Sequence, residues 1–328
     1  TNFSGEEAEL ILTANGDRVL LSDSRFKDQI RHQAPGEMKV VMQTMDVIKE
    51  IAGQLKQLDV KTVLVEGEFI SATQFEALKQ ACPDLNFILN AELVETVRNI
   101  KDELELETLQ KAIDISAQSF KEILPLIEPG VSERAIGAKL DYLFKMNGGD
   151  GPSFETIIAS GYRGSWAHGV ASDKKIQKGE LIVIDFGSFY HGYTADITRT
   201  VALGQVEPEL EKIYYIVLEA QKRGIAAAIA GNTGKDIDQA GRNYIKEQGY
   251  GEYFGHGIGH GIGLEVHELC TPAMPYSKEV MKNNMAITVE PGIYLPDRGG
   301  VRIEDDVLIK DNHPYVMSQL PKDELLIL

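Results

Sequence analysis

The chain is poor in cysteine, in tryptophan and in positive charge. Only two cysteines occur in 328 residues, Cys82 and Cys270. They are far apart, expected in different domains, and read as free thiols of a reducing, cytoplasmic environment rather than as a bridge. No apolar run approaches the roughly 18 residues of a membrane-spanning helix, and no signal-peptide pattern opens the chain. Lys and Arg number 33 against 50 Asp and Glu, a net charge of −17, and no basic cluster is present. A phosphate-binding surface needs such a cluster, so nucleic acid and anionic membranes are excluded as partners. The single tryptophan is Trp166, read as a packing residue.

What the chain has is a set of acidic residues in paired, strand-like contexts. Its length suggests two domains, and 43% hydrophobic with 25% charged residues suits a globular protein with a large core. Met285-Ala-Ile-Thr-Val-Glu290 reads as a strand ending in Pro291-Gly292, and Gly300-Val-Arg-Ile-Glu304 reads as another, after a turn at Pro296-Asp-Arg-Gly299. If the turn centres on Asp297, Glu290 lies opposite Glu304, with Cβ atoms about 5 Å apart on one face. Leu181-Ile-Val-Ile-Asp185 turns near Tyr190-His191-Gly192 and returns through Asp196 to Val201. The same midpoint counting sets Asp185 opposite Asp196. One Asp at a strand end is ordinarily a cap or turn former. Four such carboxylates on two hairpins, with the glycine-flanked His260 segment between them in sequence, repel one another unless cations sit among them. Two divalent ions about 3.5 to 4 Å apart between carboxylates form a known hydrolytic arrangement.

The runs Ile184-Asp-Phe-Gly187, Ala195-Asp-Ile-Thr-Arg-Thr200, Gly259-His-Gly-Ile-Gly-Leu-Glu-Val-His-Glu268, Val289-Glu-Pro-Gly-Ile-Tyr294 and Gly300-Val-Arg-Ile-Glu-Asp305 resemble the pita-bread metallopeptidases, which include methionine aminopeptidase, aminopeptidase P and prolidase. The match is closest to the proline-directed branch and covers about residues 99 to 328. The resemblance implies an α+β pita-bread catalytic domain over 98–328, duplicated about a pseudo-twofold axis. It also implies a small α/β creatinase-like domain over 1–97, apparently lacking its first elements. Asp185, Asp196, His260, Glu290 and Glu304 would be the ligands of two divalent metals. One His among carboxylates is a hard donor set that favours manganese, with zinc, cobalt or iron as alternatives. Glu290 would also pass a proton to the leaving nitrogen. His168 and His267 would bind the substrate carbonyl, His256 would either line the substrate pocket or play a structural part beside it, and Arg302, also placed with the substrate pocket, shares the strand face of Glu304 and could hold that carboxylate in place.

Coarse periodicity supplies the rest of the frame. A hairpin with a tight turn at Asn15-Gly16 opens the first domain, followed by a helix at about 38–57, a strand at 62–66, a helix capped by Ser71 and a strand at 86–90. Residues 91–98 read as a connection. Helices at about 102–126 and 132–146 precede a strand at 153–160 and the first acidic hairpin, and helices at about 208–229 and 236–248 precede the His260 segment. Two departures from the proline-directed pattern stand out. Ala167 replaces the usual Pro before His168, and Leu269-Cys-Thr-Pro-Ala-Met274 lacks the Arg with which many prolidases grip a dipeptide's carboxylate. The missing Arg favours a Xaa-Pro aminopeptidase acting on proline-containing peptides, with a Xaa-Pro dipeptidase as the alternative and a non-catalytic pita-bread binding protein behind both. Arg163 and Arg298 are the loop cations within reach of such a carboxylate. The resemblance also implies a homodimer.

Overall fold

The computed structural model describes residues 3–34, 36–43 and 46–328, with the side chains of 269–272 outside the description. The reading placed on the Cys270 thiol therefore falls outside the described residues. The chain forms two compact units, Thr1–Leu93 and Val94–Leu328.

In the first unit, Ala8–Leu12 pairs antiparallel with Arg18–Ser22, which pairs parallel with Lys39–Met42. The opening loop is longer than a two-residue turn. Thr13 N donates to Asp17 O and Gly16 N to Thr13 O, so the loop spans residues 14–16, with Gly16 at a φ of 93°. The helix expected over 38–57 begins only at Val47–Gln57, where Asp46 caps it by accepting from Lys49 N. The two adjacent β-branched residues Val40 and Val41 suit a strand, and parallel pairing with residues 20 and 21 draws them into one. A further helix, Lys27–Gln33, was not anticipated. Thr62–Glu66 and Asn86–Asn90 form a separate parallel pair, and Ser71 and Gln74 form a capping box at the head of Ala72–Ala81. Cys82 is buried and free. The stretch read as a plain connection holds a short helix, Leu93–Arg98.

The second unit repeats one order of elements twice. Helices Glu103–Ile123 and Glu133–Met146 precede the hairpin built on Leu181–Phe186 and Ile197–Ala202, and helices Pro208–Ala227 and Gly234–Glu247 precede the one built on Ala286–Val289 and Asp305–Lys310. Apolar residues at helical spacing in Glu103–Ile123, among them Leu109, Ile113, Phe120 and Ile123, bury against Ile182, Ile184, Phe186 and Ile197. In the second half Ile213, Val217 and Ile237 pack with Ile287, Val289, Val307 and Ile309. Each such side chain contributes about 1.5 to 3 kcal/mol by leaving water. These cores hold the backs of both hairpins rigid, so the acidic residues they carry have fixed positions.

Register decides where those acids point. In the second hairpin Val289 pairs with Asp305 and Gly292 with Arg302, and the turn centres on Asp297, at a φ of 58°. Glu290 therefore faces Glu304, as the midpoint counting has it. In the first hairpin the turn is His191-Gly192, with φ of 48° and 87°, and Asp185 pairs with Thr198 rather than with Asp196. The turn sits one residue later than the midpoint of Asp185 and Asp196, which slides the pairing by two. A slip of two keeps side-chain parity, so Asp196 still shares the face of Thr198, diagonal to Asp185. By count Gly187 lies opposite Asp196, and a Cβ there would come within 1.7 Å of Ala195 O, so only glycine allows this approach.

Candidate metal centre

The five acidic and histidine residues singled out in the sequence converge from five strand segments. Asp185 is the penultimate residue of Leu181–Phe186, a strand buried throughout its length, and Asp196 immediately precedes Ile197–Ala202. His260 is the middle of Gly259–Gly261, where His260 N donates to Thr288 Oγ1 at 3.2 Å and a Cβ on Gly259 would collide with Thr288 O. Glu290 follows Ala286–Val289, and Glu304 lies between Gly299–Arg302 and Asp305–Lys310. Asp196, His260 and Glu304 each offer a ligand atom, and these atoms all lie within 4.8 Å of one another. His260 Nε2 lies 3.5 Å from both Asp196 Oδ2 and Glu290 Oε1.

The electrostatics calls for positive charge. Burial, with Glu304, Asp185 and Glu290 nearby, pushes the Asp196 carboxyl well up. Burial and the neighbouring carboxylates Glu290 and Asp185 raise Glu304 likewise, and Glu290 is pushed up to about 8 by burial, with Asp185 adding to it against Arg302. Asp185 Oδ1 and Glu304 Oε1 are buried with no hydrogen-bond partner. Unsatisfied carboxylate oxygens aimed into a cluster of other carboxylates are costly unless a cation meets them. Burial, then His267, lowers His260 to about 3, so it is a neutral imidazole able to ligate. The donor set fits hard divalent ions.

Around these groups lies a shell that sequence reasoning only partly anticipated. Arg302 Nη2 donates to Asp185 Oδ2 at 2.6 Å, its Nε to Thr198 Oγ1 at 3.1 Å, and its Nη1 to Ala167 O and Tyr294 Oη. Thr198 in turn donates to Glu304 Oε2 at 2.6 Å. Arg302, assigned to the substrate pocket from the sequence, is 3% exposed and spends its donors on the surroundings of the ligands. Tyr294 Oη also meets His256 Nε2 at 2.8 Å. Neither Thr198 nor Tyr294 was given a role in the sequence, although the two-residue spacing from Asp196 to Thr198 and from Glu290 to Gly292 to Tyr294 was a usable signal.

Four histidines gather at this edge. The His260 and His267 rings meet edge to face with centroids 4.1 Å apart. Burial, then Arg302, brings His256 down to about 4, with His168 a lesser cause, and burial followed by His168 lowers His267. His168 and His267 are both exposed. The loop carrying His256 is fixed from the helix Gly234–Glu247. Asp238 accepts twice from Arg242 and once from Ile258 N, while Arg242 donates to the carbonyls of Phe254 and His256. The loop carrying His267 is gathered by Glu268, which accepts from Leu264 N and Glu265 N and pairs with Arg98 at 2.9 Å. Behind Glu304, burial pushes the Asp305 carboxyl up, but Arg199 and Lys322 outweigh this and hold it low.

The two arginines considered as carboxylate clamps are both engaged elsewhere. Arg298 pairs with Glu207 and, at 2.6 Å, with Glu209. Arg163 is 6% exposed and pairs with Glu133.

Residues 107–311 match metallopeptidase family M24, and residues 1–100 match the creatinase/prolidase N-terminal domain. The Xaa-Pro dipeptidase of Pyrococcus furiosus is 44% identical over 314 residues, covering 96% of this chain and 88% of the relative. A solved structure of a Xaa-Pro dipeptidase from Bacillus anthracis superposes with a TM-score of 0.95 at 41% identity, covering 100% of this chain and 91% of that one. A solved X-Pro aminopeptidase from Thermotoga maritima superposes with a TM-score of 0.91 at 39% identity, covering 99% and 92%. The chain belongs to metallopeptidase family M24, with the pita-bread fold and the preceding creatinase-type domain, and it is a hydrolase of that family.

Proposed function

We propose that this member of metallopeptidase family M24 is a Xaa-Pro dipeptidase, cleaving the bond between Xaa and Pro. Similarity over nearly the full chain to proteins named as Xaa-Pro dipeptidases carries this reading. It reverses the order reached from sequence, where the missing Arg after Glu268 put the aminopeptidase first. Asp185, Asp196, His260, Glu290 and Glu304 would hold two divalent ions, with manganese favoured by the hard donors. Such ions supply Lewis-acid polarisation of a carbonyl and activation of water near neutral pH.

The chain's own groups do the rest. Glu290, whose carboxyl is raised to about 8 in the metal-free cluster by burial, would accept a proton and hand it to the leaving proline nitrogen. His168 and His267 donate to the carbonyl oxygen as negative charge grows there, a contribution of about 3 kcal/mol for a well-placed donor. His256 and Arg302, joined through Tyr294 Oη, are the groups we assign to the wall of the substrate pocket, with Arg302 acting through Tyr294 because its own donors are committed to Asp185, Thr198 and Ala167. A specific observation keeps the aminopeptidase as a second reading: Arg163 and Arg298 are both occupied, and a tripeptide's carboxylate lies further out, where water can solvate it.

Measuring kcat/KM for Xaa-Pro against Xaa-Pro-Xaa on the manganese-loaded protein tests the choice. The dipeptide is expected to be the better substrate, and a clear preference for the tripeptide would replace the dipeptidase reading with the aminopeptidase one. The homodimer implied by the resemblance predicts a light-scattering mass of twice 36.2 kDa. A mass of one chain at micromolar concentration would refute it.

A further inference from the structure

The loop from Ser160 to Ser172 carries His168, and one buried carboxylate outside the metal cluster ties it together. Glu133, in the first turn of Glu133–Met146, is fully buried. Its carboxylate accepts five hydrogen bonds, all from this loop. Ser160 N and Ser160 Oγ donate to Oε1, both at 2.8 Å. Ser172 N donates to Oε2 at 3.2 Å and Ser172 Oγ at 2.6 Å, and Arg163 Nη1 donates to the same oxygen. Thus a single side chain holds both ends of the loop and a cation from its interior.

Arg163 extends that hold to the neighbours of His168 on each side. Its guanidinium lies 4.9 Å from the centre of the Trp166 ring, two residues before His168, and its Nη2 donates at 2.7 Å to Val170 O, two residues after. Within the bracket Val170 N donates to His168 O. From the opposite side Arg302 Nη1 donates to Ala167 O at 3.1 Å, joining the loop to the residue that holds Asp185. His168 itself is exposed, so its placement depends on its backbone and not on packing of its ring.

We propose that Glu133 is a positioning residue for His168, acting through Arg163 to set where the imidazole meets the substrate. The inference rests on the reading of His168 as a donor to the scissile carbonyl. A displacement of about 1 Å in such a group costs on the order of 10²-fold in rate. Glu133 would therefore act on turnover without touching substrate or metal ligands. A buried carboxylate with five donors is also a stabilising feature, so the test has to separate positioning from stability.

Glu133→Gln replaces one acceptor oxygen with an amide that opposes the Arg163 or Ser172 donors. We expect kcat on Xaa-Pro substrates to fall about 10²-fold, with KM changed less than about 3-fold and metal content unchanged. In a His168→Ala background the same substitution should cost less than about 2-fold, because the residue through which it acts is already gone. Ser172→Ala removes one donor of the five and should give the same pattern with a smaller loss, which keeps the test open if Glu133→Gln folds poorly. Independently of turnover, amide hydrogen exchange over 161–170 should accelerate in both variants while Leu181–Phe186 stays protected. Equal losses with and without His168, or unchanged exchange in the loop, would overturn the proposal. A wild type that does not cleave Xaa-Pro peptides overturns the substrate reading instead, and the exchange measurement then still decides whether Glu133 holds the loop.

Discussion

Raising the pH of the metal-free protein should destabilise it between about 6.5 and 8, and divalent ions should abolish the effect. Glu290 has its pKa raised from 4.5 to about 8 by burial, with Asp185 adding to it. A carboxyl raised in the folded state contributes stability that is full below its unfolded pKa and is lost as pH rises through the folded one. The histidines run the other way. His260 and His256, lowered to about 3 and 4 by burial, cost stability only below about 6.5, where the unfolded imidazole takes up a proton that the folded one refuses. Lys101, brought down to about 8 by burial, gains relative stability only above that value. From 6.5 to 8 the carboxyl cluster therefore dominates. One retained proton gives about 1.4 kcal/mol per pH unit, hence about 2 kcal/mol over the window. At 2 to 4 °C per kcal/mol for a unit of this size, the melting temperature should drop by about 4 to 8 °C. Thermal melts in chelator at several pH values, repeated with manganese, measure it. A flat or rising melting temperature in chelator, or a slope unaffected by manganese, would refute the argument that these carboxyls form one cation site.

Three substitutions probe that cluster and the shell around it. Thr198→Val is nearly isosteric but leaves Glu304 Oε2 and Arg302 Nε without the hydroxyl that joins them. At about 1.5 to 3 kcal/mol for each hydrogen bond to a charged group, the metal-free protein should lose about 3 to 6 kcal/mol, and denaturant titration showing under about 1 kcal/mol would contradict this. His267→Ala should lower kcat by about 10² to 10³-fold while metal content by mass spectrometry stays at the wild-type level, whereas His260→Ala should lose metal. Loss of metal in His267→Ala would make His267 a ligand.

The sequence made the candidate ligands legible because a strand hairpin converts spacing into geometry. The centre of the second turn at Asp297 was visible in Pro296-Asp-Arg-Gly299, and one correct turn sets every pairing along the hairpin, Glu290 with Glu304 included. In the first hairpin His191 adopts positive φ beside Gly192, and a histidine gives little warning of that, so the pairing was placed two residues away. The error left the function intact, since parity alone decides which face an acid shares. The segment 38–43 failed for another reason. A short apolar run suits a helix or a strand equally, and the parallel partner that decides it, Arg18–Ser22, lies about twenty residues upstream.

Glu133 shows where local reading ends. An acid in the first turn after a capping Ser132 suits the positive end of the helix dipole, so its presence needs no further explanation from sequence. Nothing local indicates that its acceptors face inward to Ser160, Arg163 and Ser172, the last of them 39 residues away. The same limit applies to the choice between dipeptide and tripeptide. Arg163 was a candidate clamp because its charge looked free, and the fold has already committed that charge to Glu133. Which peptide the site prefers depends on the cations left over after the protein's own buried carboxylates have been matched, and that matching is made by tertiary contacts between residues far apart in the chain.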